Sequence, residues 1–388
     1  MTAALRAGAT IDGPGSSRPV VVKVPAVEPA ALRAAFPVLE HLTYLNAGTD
    51  GPVPANAVTA AQAEIEREAR EGRLSAHFER RFELIDRQRS AYAGLLGCSP
   101  ADVALSTCTS EGIATVVGGL DLRPGDEVVT SDQEHPGVLG ALQAARDIRG
   151  VTITMAPFAR VPEAVGPRTR LVVTSHVSWV GGEVAPPELA DLDDHVPVLL
   201  DGAQGVGAVP VDVGALGADA YAGAGQKWLC GPDGTGMLFV SQAFRERLPT
   251  LRRTYLNFAD AGAGLDAPLH TDARRFDTPS LSAESQAFAL AAHDTLAGFG
   301  WKRVHERAAQ LAATLADRLA EAGHDVAPRG RSTLVSWSSG DPEGDRERLA
   351  QRGVAVRDIP GRGLLRASVG AWSDPSDLER LLDALEPR

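Results

Sequence analysis

Residues 218–241, ADAYAGAGQKWLCGPDGTGMLFVS, place two short apolar runs on either side of a lysine. The first run, ADAYAG, and the last, GMLFVS, have the length and side chains of buried strands. Between them Lys227 follows Gly223 and Gly225 and precedes Gly231, Gly234 and Gly236. A solvent-facing lysine needs no such setting. A lysine that meets a small electrophile, with backbone packed close on both sides, does. An ordinary loop lysine also fits the stretch in isolation, so the segments upstream decide.

The same texture recurs outward from it. DVALST, DEVVTS, VTITMAP, TRLVVTSH and VPVLLDGA are short apolar runs rich in β-branched residues, and helix-like segments such as EGIATVVGGL and PGVLGALQAARD separate several of them. This alternation predicts an α/β fold: a mainly parallel sheet of the seven-stranded type with helices on both faces. Residues from about 55 to 97 read as helical, with Phe78, Phe82, Ile85, Tyr92 and Leu96 on one stripe expected to face the core. From about residue 250 the pattern changes. An irregular stretch, TYLNFADAGAGLDAPLH, precedes a long helix over 301–323 with Val304, Ala308, Leu311, Leu315 and Leu319 on one face. TLVSW, VAVRDIP and LLRASVG follow as strands, and DPSDLERLLDALE as an Asp-capped helix. The expected division is a flexible extension over 1–25, a segment over 26–54 packing on the small domain, a large domain over 55–255 and a smaller α+β domain over 256–388.

The chain has 388 residues, 44% hydrophobic and 23% charged, with a net charge of −12 and a pI near 5.3. That size allows a large domain with a satellite. An acidic surface repels phosphate backbones and anionic membranes, so neither nucleic acid nor membrane is an expected partner. Cys98, Cys108 and Cys230 form no metal-ligand spacing, which argues against both a disulfide framework and a zinc site. The N-terminal residues lack the charged-then-apolar pattern of a secretory signal, and a cytoplasmic protein is expected.

In open α/β sheets ligands bind at the carboxyl ends of strands. After DVALST comes CTSEG, which puts Thr109 and Ser110 at a helix N-terminus, either as ordinary caps or as a phosphate cradle. After DEVVTS comes DQEHPG; His135 is a surface loop histidine or a side chain that stacks on a planar ring. After VPVLL comes DGAQ. Asp201 is either a capping residue or a carboxylate that meets a cation such as a pyridinium nitrogen, and Gln204 lies three residues on. Lys227 closes the series as a Schiff-base amine. Phosphate cradle, ring stacker, acid, hydrogen bonder and lysine together are the parts of a pyridoxal phosphate site.

At this point the chain resembles the class V aminotransferase family of pyridoxal-phosphate enzymes, fold type I, which includes cysteine desulfurases, isopenicillin N epimerase-like proteins and carbon–sulfur lyases. The resemblance rests on YLNAG, TSEG, EHPG, SHVSWVGGEV, DGAQGVGAVPVDV, GQKWLCGPDGTG, RRFDTPS and LLRASVG. It implies that Lys227 carries the Schiff base, Asp201 pairs with the ring nitrogen, Gln204 approaches the phenolic oxygen and His135 stacks on the ring. Thr109 and Ser110 then cradle the phosphate. Thr278 is the residue expected to reach the partner's phosphate in a homodimer, and Arg366 the one that clamps a substrate α-carboxylate. The glycines around Lys227 are expected to admit the flat cofactor.

The pattern also departs from the family. Gln226 replaces a common histidine before the lysine and can still donate to phosphate. Trp179 stands where desulfurases carry asparagine, as a pocket wall or as packing. Asn46, in the YLNAGTDGP loop, is a candidate for substrate contact. The desulfurase loop cysteine is missing from VAVRDIPGRG, and FDTPS lacks the usual glycine before its threonine. The expected reaction begins with α-proton removal by Lys227 on an amino-acid substrate. It leads to a carbon–sulfur lyase, with transamination, epimerisation and a catalytically idle cofactor binder as alternatives.

Overall fold

A computed structural model describes residues 28–386; the expected extension over 1–25 lies outside them. The first elements are α1 (Pro29–Ala34), β1 (Thr43–Tyr44), α2 (Ala55–Glu71) and α3 (Ser75–Leu96). The large sheet then follows as β2 (Val103–Ser106), α4 (Thr109–Gly119), β3 (Glu127–Ser131), α5 (Pro136–Arg149), β4 (Thr152–Ala156), β5 (Thr169–Ser175), β6 (Val198–Asp201), β7 (Ala220–Ala224) and β8 (Gly236–Val240). Its seven strands run in the order β2-β8-β7-β6-β5-β3-β4. All neighbouring pairs are parallel except those of β8, which is antiparallel to both β2 and β7.

Strand alternation sorts the side chains into two cores. Leu105, Val129, Val172, Leu200 and Tyr221 face α3 through Ile85, Tyr92 and Leu96. Ala104, Val128, Val173, Leu199 and Ala222 face α4 and α5 through Ile113, Val116, Val138 and Leu142. Both faces are dry, which is why these strands read as continuous apolar runs. Each fully buried Val or Leu among them contributes about 1.5–3 kcal/mol.

Three expectations need correction. Phe78 and Phe82 are 48% and 41% exposed, whereas Ile85, Tyr92 and Leu96 are buried. A 22-residue helix is about 33 Å long and outruns strands of four or five residues, so its first turns project past the core. Second, no α-helix joins β4, β5, β6 and β7; short 3-10 turns such as Pro187–Asp191 lie between β4 and β6, and plain turns join β6 to β7. Those connections, rich in Gly and Pro, cannot sustain helical hydrogen bonding. Third, the stretch before residue 301 is helical: α6 (Gln242–Arg247) and the irregular region are followed by α7 (Ala283–Phe299), which packs Ala283, Ala287 and Leu290 on Leu84 of α3.

The remaining elements are α8 (Trp301–Glu321), β9 (Leu334–Ser338), α9 (Pro342–Gln351), β10 (Val354–Ala355), β11 (Arg357–Ile359), β12 (Leu364–Ser368) and α10 (Pro375–Leu385). β11, β12 and β9 form an antiparallel sheet. Leu311, Leu315 and Leu319 of α8, with Leu378 and Leu381 of α10, pack on Trp337 and Leu365 of that sheet. Asp374 caps α10 through the amides of Ser376 and Asp377. The N-terminal segment is tied to this unit: β1 pairs in parallel with β10, and Arg33 bonds Asp377 at 2.6 Å. Among the described residues no helix is long and apolar enough to cross a membrane.

Candidate active site

The carboxyl ends of β2, β3, β6 and β7 open into a cavity of ≈ 190 Å³ lined by Thr109, Ser110, His135, Asp201, Gln204, Gln226 and Lys227, with Trp179 and Arg366 opposite. Topology assembles the residues from Thr109 to Lys227: each lies at the end of a strand of one sheet or just after it, although they span more than a hundred positions.

Two helices aim their N-termini into the cavity. α4 begins at Thr109, and its N-cap is Cys108, which makes no side-chain capping bond. Thr109 and Ser110 are therefore not caps; they are the first helical residues, whose amides have no partner within the helix. Thr109 Oγ1 is buried without any hydrogen-bond partner. α5 begins beside it, and Ser110 Oγ fills the space that a side chain at Gly137 would need. An uncapped helix start with an orphaned hydroxyl suits an anion such as phosphate. Gln226 Oε1 is a second buried, unpartnered polar atom of the same wall.

His135 is the N-cap of α5, and its Nδ1 accepts from Gly137 N at 3.1 Å. Burial, then the positive charges of Lys227, Arg366 and Arg357, pull its pKa down to about 4. It is thus neutral near pH 7, with the proton on Nε2. Its ring meets that of Trp179 edge-on, with centroids 5.1 Å apart. Trp179 is both pocket wall and packing partner.

Asp201 ends β6 and is buried; its Oδ1 accepts from Ala203 N at 2.9 Å. Desolvation raises its pKa, against that bond and the charge of Lys227. A buried carboxylate so poorly compensated is one that a ring cation would stabilise. Gln204 accepts at Oε1 from Trp228 Nε1 (2.9 Å) and donates through Nε2 to Gly48 O (2.7 Å), which leaves one N–H unused. Lys227 is buried, and desolvation lowers its pKa; Asp201 raises it, and Arg366 lowers it further. Burial thus disfavours the charged ammonium, the direction that favours attack on an electrophile.

The N-terminal loop closes the site. Gly51 N donates to Gln226 O at 2.7 Å, and a side chain at Gly51 would collide with Lys227 O. A Cβ at Gly48 would lie 2.7 Å from Ser368 Oγ and 2.9 Å from Arg366 Nη2. Asn46 does not line the cavity; its Oδ1 accepts from Thr49 Oγ1 at 2.8 Å and so shapes the turn, while Gly48 and Thr49 face inward. The glycines beside Lys227 also differ from expectation. At Gly225 the missing side chain makes room for Thr235 and Tyr92, so protein packing fills that space.

Arg366 is buried on β12. Its Nη1 donates to Trp179 O at 2.7 Å, and its Nε has no partner. Burial and the neighbouring Arg357 lower its pKa to about 9. Arg357 is a cavity residue that the sequence reading missed. The β11–β12 register sets Arg357 directly across from Arg366, and both line the cavity. Like charges opposed on a ladder destabilise it unless an anion lies between them. A signal was available: the four residues Pro360–Gly363 join the two strands, and counting back from LLRAS across that turn reaches Arg357. Cys108 also lines the cavity. Thr278 does not; it is buried, with its amide on Leu105 O at 2.9 Å. Cys230 packs in the apolar core with Trp228.

These residues fit pyridoxal phosphate: an uncapped helix start with an orphaned hydroxyl where a phosphate would sit, an under-compensated acid, and a desolvated lysine. The profile of the Aminotransferase class-V family matches residues 43–381. An isopenicillin N epimerase of Amycolatopsis lactamdurans is 29% identical, with 89% of this chain and 94% of that protein aligned. A probable cysteine desulfurase of Pseudomonas aeruginosa is 32% identical, over 92% and 98%. Among solved structures, the cystine C–S lyase C-DES in complex with its reaction product cysteine persulfide superposes with a TM-score of 0.84, at 26% identity, covering 91% of this chain and 100% of that one. C-DES with glycine covalently linked to its pyridoxal phosphate cofactor gives 0.85, also at 26%, over 92% and 99%.

Proposed function

The chain belongs to the class V aminotransferase family and is a pyridoxal-phosphate enzyme; on that footing we propose that it is a carbon–sulfur lyase for a cysteine-derived amino acid. The observation that carries this reading is the Arg357–Arg366 pair facing Lys227 across one cavity. A buried guanidinium clamps an α-carboxylate through two hydrogen bonds. A second one beside it favours a substrate with a further carboxylate, as a disulfide-linked or S-carboxyalkyl cysteine has. The β11–β12 turn, Pro360–Gly363, holds no thiol, so a persulfide relay on that turn has no nucleophile. C-DES, described as a cystine C–S lyase, supports the same direction.

Thr109, Ser110 and Gln226 would hold the cofactor's phosphate, Asp201 and Gln204 its ring, and His135 would cover it. When bound, the group supplies an electron sink for negative charge at the substrate α-carbon. Lys227 would anchor the cofactor, and its amine would serve as the base that takes the substrate α-proton; burial holds its pKa below the usual lysine value. Arg366 orients the α-carboxylate, and Trp179 shields the site from water. The carbon–sulfur bond then breaks and sulfur leaves with the bonding electrons, as thiolate or persulfide. Hydrolysis of the remaining fragment gives pyruvate and ammonia.

We also propose a homodimer. Phe78, Phe82 and Tyr255 are exposed around Arg81, which lies over both phenyl rings and donates to Tyr255 Oη. A patch of this kind marks an association surface. In this reading Thr278 serves the partner's phosphate. Light scattering of the holoenzyme tests it, with a monomeric mass as the contrary result.

Product analysis tests the reaction. Incubation with cystine and S-substituted L-cysteines, with no keto-acid acceptor, yields pyruvate, ammonia and a sulfur nucleophile over many turnovers. A single turnover that leaves pyridoxamine phosphate identifies an aminotransferase instead, and the D-enantiomer an epimerase.

A further inference from the structure

A second cavity, ≈ 510 Å³, lies away from Lys227, where the end of α3, the 208–211 segment and the first turns of α8 meet. Its size is that of a small-molecule site. Leu95, Val209, Val211 and Ala309 give it apolar walls, and Trp301 adds an indole. Lys302, His305, Glu306 and Arg331 complete it.

The charges there are unbalanced. Lys302 pairs with Glu306 at 3.8 Å, one turn along the same helix. Arg331, exposed at the rim, forms no ion pair among the described residues, so Lys302, Glu306 and Arg331 leave one positive charge over at the cavity. His305 Nε2 is buried and lacks a hydrogen-bond partner, and burial pulls the ring's pKa down to about 4, so the imidazole is neutral near pH 7. An apolar chamber with one excess positive charge at its rim is complementary to an apolar body carrying a single carboxylate. An uncharged ligand leaves Arg331 unused, and a cation is repelled.

Two of its walls continue into the active site. Ala208 and Val209 donate to Gly205 O, both at 3.0 Å, and Gly205 follows Gln204, which holds Gly48 and Trp228. Arg331 sits between Gly330, whose amide donates to Gly182 O at 3.0 Å, and Ser332, whose hydroxyl donates to the same carbonyl at 2.6 Å. Gly182 belongs to the turn that carries Trp179, the carbonyl partner of Arg366.

We propose that this cavity binds a small amphipathic carboxylate, an aryl or branched-alkyl acid, and that occupancy is felt at the cofactor through the 204–209 and 179–182 segments. The proposal is independent of which reaction the enzyme performs.

The probe is 4-phenylbutyrate, with 4-phenylbutanol as the same body lacking the charge. Saturation-transfer NMR on the holoenzyme should detect the acid and rank it at least about fivefold tighter than the alcohol. Arg331→Ala should remove that preference, because this arginine lies on the surface and supports no core. Ala309→Trp, which fills the chamber, should abolish binding of both, and Arg366→Ala should leave it intact. Binding lost in Arg366→Ala but kept in Ala309→Trp would locate the acid in the active site and overturn the assignment. So would acid and alcohol of equal affinity in the unaltered enzyme. The coupling is read from the visible absorption band of the bound cofactor: saturating phenylbutyrate should shift its maximum, and no shift at full occupancy overturns that part.

Discussion

Two buried clusters of opposite charge lie beside the seven-stranded sheet, and they are finished to different degrees. Arg89 of α3 and Asp277 meet at 2.8 Å and 3.0 Å through both terminal guanidinium nitrogens. Leu105 N adds a bond to Asp277 (2.8 Å), and Arg89 donates to Val103 O (2.7 Å). Both terminal guanidinium nitrogens and both carboxylate oxygens are paired there, and only Arg89 Nε lacks a hydrogen-bond partner. Around Lys227 more is left open: Thr109 Oγ1, Gln226 Oε1 and Arg366 Nε have no partner, and Asp201 is desolvated with little compensation. Charge that the chain satisfies by itself serves the fold, and charge left unsatisfied in a cavity awaits a ligand.

The largest effect expected is at Lys227. Lys227→Ala should leave the fold intact and reduce kcat by roughly 10²–10⁴-fold, the range a positioned proton carrier supplies. A variant that unfolds, or one that turns over normally, would erase the contrast between the two clusters. Arg89→Ala should do the opposite. It strands the Asp277 carboxylate, and loss of one partner from a buried pair costs about 3–5 kcal/mol. Urea unfolding should show that loss, while the folded fraction keeps its kcat.

Arg366→Ala sharpens the contrast from the substrate side. KM for the amino acid should rise by about 30-fold or more, since truncating one member of a buried charged contact costs 2–5 kcal/mol, with cofactor content unchanged. A lost cofactor would make Arg366 part of the cofactor cradle instead.

The smallest effect concerns pH. The folded-state pKa of Asp201 is raised, so its contribution to stability in cofactor-free protein is full below about 3.8, the usual aspartate value. That contribution is lost as pH rises through the folded value. Asp201→Asn lacks this loss. The urea midpoints of the two cofactor-free proteins should agree at the acid end, and the wild type should fall below the variant as pH rises. Added pyridoxal phosphate should reverse the order. Midpoints that stay parallel at every pH would mean that Asp201 is compensated within the chain after all.

Much of this was legible in sequence because of topology. A parallel sheet gathers the residues that follow its strands at one edge, so Thr109, His135, Asp201 and Lys227 could be placed together from the positions of short apolar runs. Arg357 was missed because strand register in the small sheet depends on pairing across a turn, which periodicity does not reveal. α7 was missed because its alanine-rich faces are buried on several sides, with little contrast between them. Phe78 and Phe82 were misplaced because a helical stripe records direction and not how far the sheet extends beneath it. Gly225 was read as space for a cofactor, but the packing of Thr235 and Tyr92 that occupies it is visible only in three dimensions.

The central claim is that the unfinished cluster is built for one covalent partner at one residue. Borohydride reduction of the holoenzyme, followed by peptide mapping by mass spectrometry, tests it most directly. The account predicts one reduced pyridoxyl group per chain, on Lys227, and none on the Lys227→Ala protein. Label on another lysine, or label retained at full stoichiometry in that variant, would contradict it.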